Sequence, residues 1–260
     1  MNELDKIQLC INADDFGYSD PISSGILEMI DKGLVSSTSI MVQHLNENQI
    51  IQLAKYNNIS VGLHFNLASK HNFFTPFLND PFTIAQQFYF NKLKVKELEN
   101  ELEAQYEYLK KVYHKPITHI DTHQHIHIIP QIAQLLTDFA KRNNIPYVRL
   151  GREFSPTFGI KKWLFNNSAK SLKNSLPIFG LNLMGKNFTS ENIRMHFNFL
   201  KNKKITKALW IVHPGYCTSQ STFTDSYNKE RENEMDVLKK LEEFILLHSQ
   251  ILPLNKIYGT

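Results

Sequence analysis

The chain has 260 residues, 42% hydrophobic and 21% charged, which excludes a disordered or fibrous protein and suffices to bury one large core. Its 29 basic and 25 acidic side chains leave a formal charge of +4 without a basic block, so no nucleic-acid partner is expected. Cys10 and Cys217, the only cysteines, lack CxxC spacing and exclude a disulfide framework or a thiolate zinc site.

The first residues, MNELDKIQLCINADD, carry acids where a signal peptide needs a basic region and a long apolar core. No apolar run approaches a membrane span. A cytoplasmic protein with no stable membrane insertion is expected. Strands are predicted at 7–13 (IQLCINA), 36–42 (SSTSIMV), 60–67 (SVGLHFNL), 118–128 (THIDTHQHIHI), 147–150 (YVRL), 179–184 (FGLNLM) and 208–214 (ALWIVHP). Helices are predicted between them at 21–32, 47–56, 95–112, 130–141 and 190–201, with a last one near 230–247. Strand and helix in alternation imply a parallel sheet covered by helices, and seven or so units suggest an α/β, TIM-barrel-like (β/α) barrel, incomplete in its strand count. One domain over 1–260 is expected, with substrate-side insertions near 69–95 and 151–178.

In either a barrel or an open α/β sheet, chemistry belongs at the C-terminal ends of strands. Asp14 and Asp15 end the first strand, His64 lies near the end of the third, and His213 ends the last strong one, before Pro214 and Gly215. His123, His125 and His127 alternate in HQHIH and, as a strand, would line one face together with His119 and Asp121. Singly, an Asp pair after a strand is more often a helix cap, and a lone histidine more often a satisfied core residue. Together, imidazoles and a carboxylate from four strand ends suit a divalent cation, with zinc, iron(II), manganese and nickel all open. Asp121 and His119 read as supporting groups that orient a metal-binding histidine. Arg149, at the end of YVRL, is a candidate to stabilise an oxyanion or fix a base, weighed evenly against an ordinary ion-pair arginine. Phe65 and the aromatics of 73–90 are candidates to stack on a sugar, with core packing the commoner role.

At these residues the chain resembles the YdjC-like carbohydrate deacetylases, the family of chitooligosaccharide deacetylases and a hopanoid-pathway deacetylase. The resemblance rests on NADDFG (12–17), VSSTSIMV (35–42), VGLHFNL (61–67), THIDTHQHIH (118–127) and HPG (213–215), with an echo in RENEMDVL (231–238) of the family's Arg-x-x-Glu segment. It implies a TIM-barrel-like fold and hydrolysis of an N-acetyl group on an amino sugar, assisted by one divalent cation, Mg2+ or Zn2+. It assigns the metal to Asp15, His64 and His123, and by further analogy with NodB-type polysaccharide deacetylases it makes Asp14 the general base. His213 is the candidate acid for the leaving amine, with His125 and His127 as alternatives for that role or for sugar contacts. The expected partner is an N-acetylated sugar, and a homodimer is allowed for. Rival readings are a metal-dependent hydrolase of another bond, such as a phosphoesterase, and a non-catalytic carbohydrate-binding protein.

Overall fold

The structure is a computed structural model that describes residues 6–78, 80–90, 92–150, 153–156, 166, 176–217 and 227–258. Eight parallel strands among these residues form one sheet: β1 (Ile7–Phe16), β2 (Ser37–Ile40), β3 (Ser60–Phe65), β4 (His119–Thr122), β5 (Tyr147–Val148), β6 (Ile178–Phe179), β7 (Lys207–Val212) and β8 (Ser249–Ile251). The order is β5-β4-β3-β2-β1-β7-β6, with β8 joining the start of β1. β5 and β6 share no ladder among the described residues, and a single bridge from Glu153 to Ile178 spans the gap between them. The fold is therefore the incomplete, TIM-barrel-like α/β sheet expected, curled with helices outside.

The α-helices among the described residues are α1 (Asp20–Asp31), α2 (Glu47–Leu53), α3 (Pro81–Tyr89), α4 (Val95–Tyr113), α5 (Pro130–Arg142), α6 (Ser190–Asn202), α7 (Asn228–Lys240), α8 (Glu242–His248) and α9 (Leu254–Tyr258). α1 starts where Ser19 accepts the Ile22 N–H, and it buries Ile22, Ile26, Met29 and Ile30 on one face, the spacing of a core-facing helix. The odd residues of β1, Leu9, Ile11 and Ala13, join that outer layer. Cys10 instead joins Tyr147, Ile178, Leu209 and Ile211 inside the curl, where Leu254 and Ile257 of α9 close the floor.

Four predicted elements differ from the observed ones. The strand expected over 118–128 stops at Thr122, and His123–Ile128 forms 3-10 turns, with Gln124 and His125 at φ 52° and 54°. Pairing explains this: β3 accompanies β4 only to Thr122, and Pro130 then starts α5, so the chain must turn. The strands expected at 147–150 and 179–184 shorten to two residues each. The last helix divides at Leu241 into α7 and α8. The segment 69–95 holds α3, whereas most of 151–178 lies outside the described residues.

Candidate functional site

Alternation along the strands brings one polar set to the C-terminal half of the interior. Asn12 and Asp14 of β1, Ser39 of β2, His64 of β3, His119 and Asp121 of β4, and Arg149 just after β5 are all buried, and the register pairs His64 with Asp121. His119 fits because Gly62 faces it: a Cβ there would sit 2.3 Å from the imidazole.

Strict alternation would send Asp15 outward, away from Asp14. The β1–β2 register instead shifts between Ala13 and Phe16, and Asp15 takes a left-handed φ of 72°. Bulges of this kind re-aim a side chain, and Asp tolerates the conformation better than most residues. Gly17, at φ 88°, completes the turn, where a Cβ would stand 2.5 Å from the Met41 carbonyl oxygen. Both carboxylates therefore face the mouth of the barrel.

The two then meet different partners. Arg149 donates Nη1–H to Asp14 Oδ1 and Nη2–H to Asp14 Oδ2, each at 2.6 Å. Asn12 adds a 2.7 Å bond to Asp14 Oδ1, and Arg149 Nη1 also lies 3.1 Å from Asp121 Oδ2. Asp15 Oδ1 lies 3.3 Å from His64 Nε2 and 3.2 Å from His123 Nδ1, and its Oδ2 accepts from Arg231 at 2.7 Å. Burial alone would raise the Asp15 carboxyl, but Arg231 and the two histidines hold it well below the usual range.

His64 is fixed from behind: its Nδ1 contacts Asp121 Oδ1 at 2.5 Å, and Ser39 donates to the other oxygen of that carboxylate at 2.5 Å. Burial would lower the His64 pKa, but Asp121, Asp14 and Asp15 outweigh it and push it up to about 10. So much negative charge around one imidazole is an arrangement that favours a cation. Asp15, His64 and His123 present one oxygen and two nitrogens within 4.8 Å of one another. A second group of acids and imidazole, Asp14, His64 and Asp121, is equally compact. There the Arg149 guanidinium already balances the carboxylates.

Asp14, Asp15, His64, His123, Asp121, Arg149 and His213 are thus brought together. His213 is buried, with Nε2 3.8 Å from Asp14 Oδ2, and burial pushes its pKa down to about 4 despite Asp14 and Asp15. The histidines of HQHIH do not share a face as a strand would have them. His123 turns to Asp15, whereas His127 is buried with Nδ1 2.6 Å from Thr122 Oγ1. His125 packs edge-on to His127, and burial holds both imidazoles neutral, His127 down to about 3. Phe65 is fully buried in the outer layer, one residue out of phase with His64, so it packs against core and cannot stack on a sugar.

Two residues of the RENEMDVL segment join the site without having been singled out from the sequence. Arg231 grips Asp15, and Glu234, one helical turn on, accepts the His213 N–H at 2.6 Å from a fully buried position. Burial raises the Glu234 carboxyl to about 8. The only signal was Arg-x-x-Glu spacing on a helix that otherwise reads as a solvated surface.

The chain is similar over 237 residues, 28% identical, to proteins named chitooligosaccharide deacetylase from Yersinia pestis (strain Pestoides F) and Yersinia pseudotuberculosis serotype O:1b (strain IP 31758). Each of these alignments covers 88% of this chain and 90% of the relative. Its fold is similar to a crystal structure from Enterococcus faecalis V583, provisionally named a cellobiose-phosphate cleavage protein, with a TM-score of 0.73 at 20% identity, covering 95% and 97% of the two chains. It is also similar to the peptidoglycan N-acetylglucosamine deacetylase Bc1960, with a TM-score of 0.54 at 12% identity over 99% and 90%. The model of the family described as YdjC-like protein matches residues 8–244, and the chain belongs to that family.

Proposed function

We propose that this protein is a carbohydrate deacetylase, a metal-dependent hydrolase that removes the acetyl group from an N-acetylated amino sugar. The observation that carries the reading is the division of labour between two adjacent carboxylates: Asp14 is gripped on both oxygens by Arg149, whereas Asp15 meets Arg231 with one oxygen and two imidazoles with the other. Asp15, His64 and His123 would hold the cation, and two nitrogens among three donors suit zinc or a similar first-row ion better than oxygen-seeking magnesium. When bound, such an ion supplies Lewis acidity toward the amide carbonyl and the attacking water.

The rest is work for the chain's own groups. Asp14, clamped on both oxygens by Arg149, is positioned to take the proton from the attacking water. Both Nη atoms of Arg149 are engaged by Asp14 and Asp121, which favours fixing the base over reaching an oxyanion. His213 delivers a proton to the departing amine. Since burial keeps His213 neutral at rest, that proton is the one taken from water, passed across the 3.8 Å between Asp14 Oδ2 and His213 Nε2. Glu234 fixes the peptide of His213 for this handover. Asp121 keeps the Nε2 of His64 turned toward Asp15, the usual task of a carboxylate behind a metal-binding histidine.

The test is acetate release from chitobiose and a panel of other N-acetylated sugars, with and without chelator. Release that chelation stops and zinc restores is expected. No release from any sugar, or release that chelator leaves unchanged, would overturn the reading. A phosphoesterase would instead free phosphate from sugar phosphates in the same assay.

A further inference from the structure

The segment between β3 and α4 carries a group of aromatic side chains that the site does not use. Phe73, Phe74, Phe77, Phe82, Tyr89 and Phe90 are between 45% and 85% exposed. On α3, Ile84 is buried, while Phe82, Ala85, Gln86 and Tyr89 face outward at helical spacings of three and four. The loop before α3 is held in place. The fully buried carboxylate of Glu101 on α4 accepts the backbone N–H groups of Phe73, Phe74 and Thr75 at 3.2, 2.6 and 3.1 Å. A buried acid is thus spent fixing a loop whose phenylalanines point into solvent, and α3 itself packs against the His123–Ile128 turn beside the site.

Between residues 70 and 96 lysines outnumber acids four to one, with Glu97 the next exposed acid. Lys70, Lys92, Lys94 and Lys96 are exposed, and Asp80, the single acid between residues 70 and 96, is occupied in capping α3. Lys96 pairs with Glu99 of α4, and that carboxylate also serves Arg142. We propose that this face docks on an anionic lipid surface, with the aromatic rings at the headgroup boundary and the lysines against lipid phosphates, presenting the mouth of the barrel to the bilayer. Exposed aromatics flanked by lysines suit interfacial binding. A second copy of the chain is a poorer occupant, since a twofold contact would bring two patches of the same net sign together. A soluble sugar needs a ring or two at the site rather than six along the segment. The inference does not depend on the chemistry proposed for the site.

Flotation of the full chain with phosphatidylcholine vesicles, with and without phosphatidylglycerol, tests it. Binding is expected only to the anionic vesicles and should weaken in high salt. K92E/K94E should lower partitioning about tenfold or more at low salt. F82S/Y89S/F90S should abolish it while the circular dichroism and thermal melt stay unchanged, and if the triple variant fails to fold, F82S and Y89S made separately should each weaken binding severalfold. No partitioning into anionic vesicles, or partitioning that the aromatic variants retain, overturns the proposal. So does sedimentation equilibrium showing a dimer that the aromatic variants dissociate.

Discussion

The same strands line the inside of the barrel twice, in two chemistries. Toward their N-terminal ends they contribute Cys10, Tyr147, Ile178, Leu209 and Ile211, a floor sealed by α9. Toward their C-terminal ends they contribute Asn12, Asp14, Ser39, His64, Asp121 and Arg149, all as deeply buried. Below, burial of apolar surface stabilises the fold directly. Above, ionised groups leave water at a large cost, and only their mutual pairing offsets it. A hole in the floor loses packing, whereas removing one partner at the top leaves a charge buried and unpaired.

The largest effect should come from Arg149→Leu. It strands Asp14 and Asp121 without their counter-ion and should cost about 3–5 kcal/mol in chemical denaturation, as breaking a buried ion pair does. Leu209→Ala on the floor leaves a cavity and should cost about 2–5 kcal/mol, while any site chemistry survives in the folded fraction. If Arg149→Leu is as stable as the parent, the top is not held by charge pairing.

The second difference is in pH response. His119, His127 and His213 are pushed down to about 4, 3 and 4, chiefly by burial. Below the ordinary histidine value the unfolded chain binds more protons at these sites than the folded one, so stability falls as pH drops from about 6.5 toward 4. A tenfold difference in proton affinity between the folded and unfolded chain is worth about 1.4 kcal/mol. His64 runs the other way: its contribution is complete below about 6.5 and is lost as pH rises through 10. Metal-stripped protein should therefore lose stability on both sides of neutrality, and a flat profile from pH 4.5 to 6.5 would contradict the neutral burial of the three imidazoles.

The smallest effect belongs to the floor. Burial pushes the Cys10 thiol up to about 12, so it is an inert core group. Cys10→Ala should cost about 1–2 kcal/mol, and in the folded parent Cys10 should resist alkylation.

Much of this division was legible in the sequence, because period-two alternation in β1, β3 and β7 separates inward from outward residues wherever the strand is regular. Phe65 shows the limit: its type suits a sugar platform, and only its phase relative to His64 puts it in the outer core. HQHIH obeyed the alternation while not being a strand, since what ends a strand is the loss of a neighbour, which no local pattern records. Asp15 required the opposite correction, a bulge that restores to the site a residue whose phase pointed away from it. Arg149 was an even choice between surface and site until the register set it beside Asp14. Arg231 sits on a polar helix more than two hundred residues from Asp15, and only the β1–β7 pairing brings the two together.

The central claim is that Asp14 and Asp15, adjacent in sequence, hold different offices. Metal content and acetate release measured side by side on Asp14→Asn and Asp15→Asn test it most directly. Asp14→Asn should retain a full equivalent of metal and lose turnover by about a thousandfold or more, while Asp15→Asn should lose metal and turnover together. Equal metal content in the two variants, or an Asp14→Asn enzyme that turns over at near the parent rate, would contradict it.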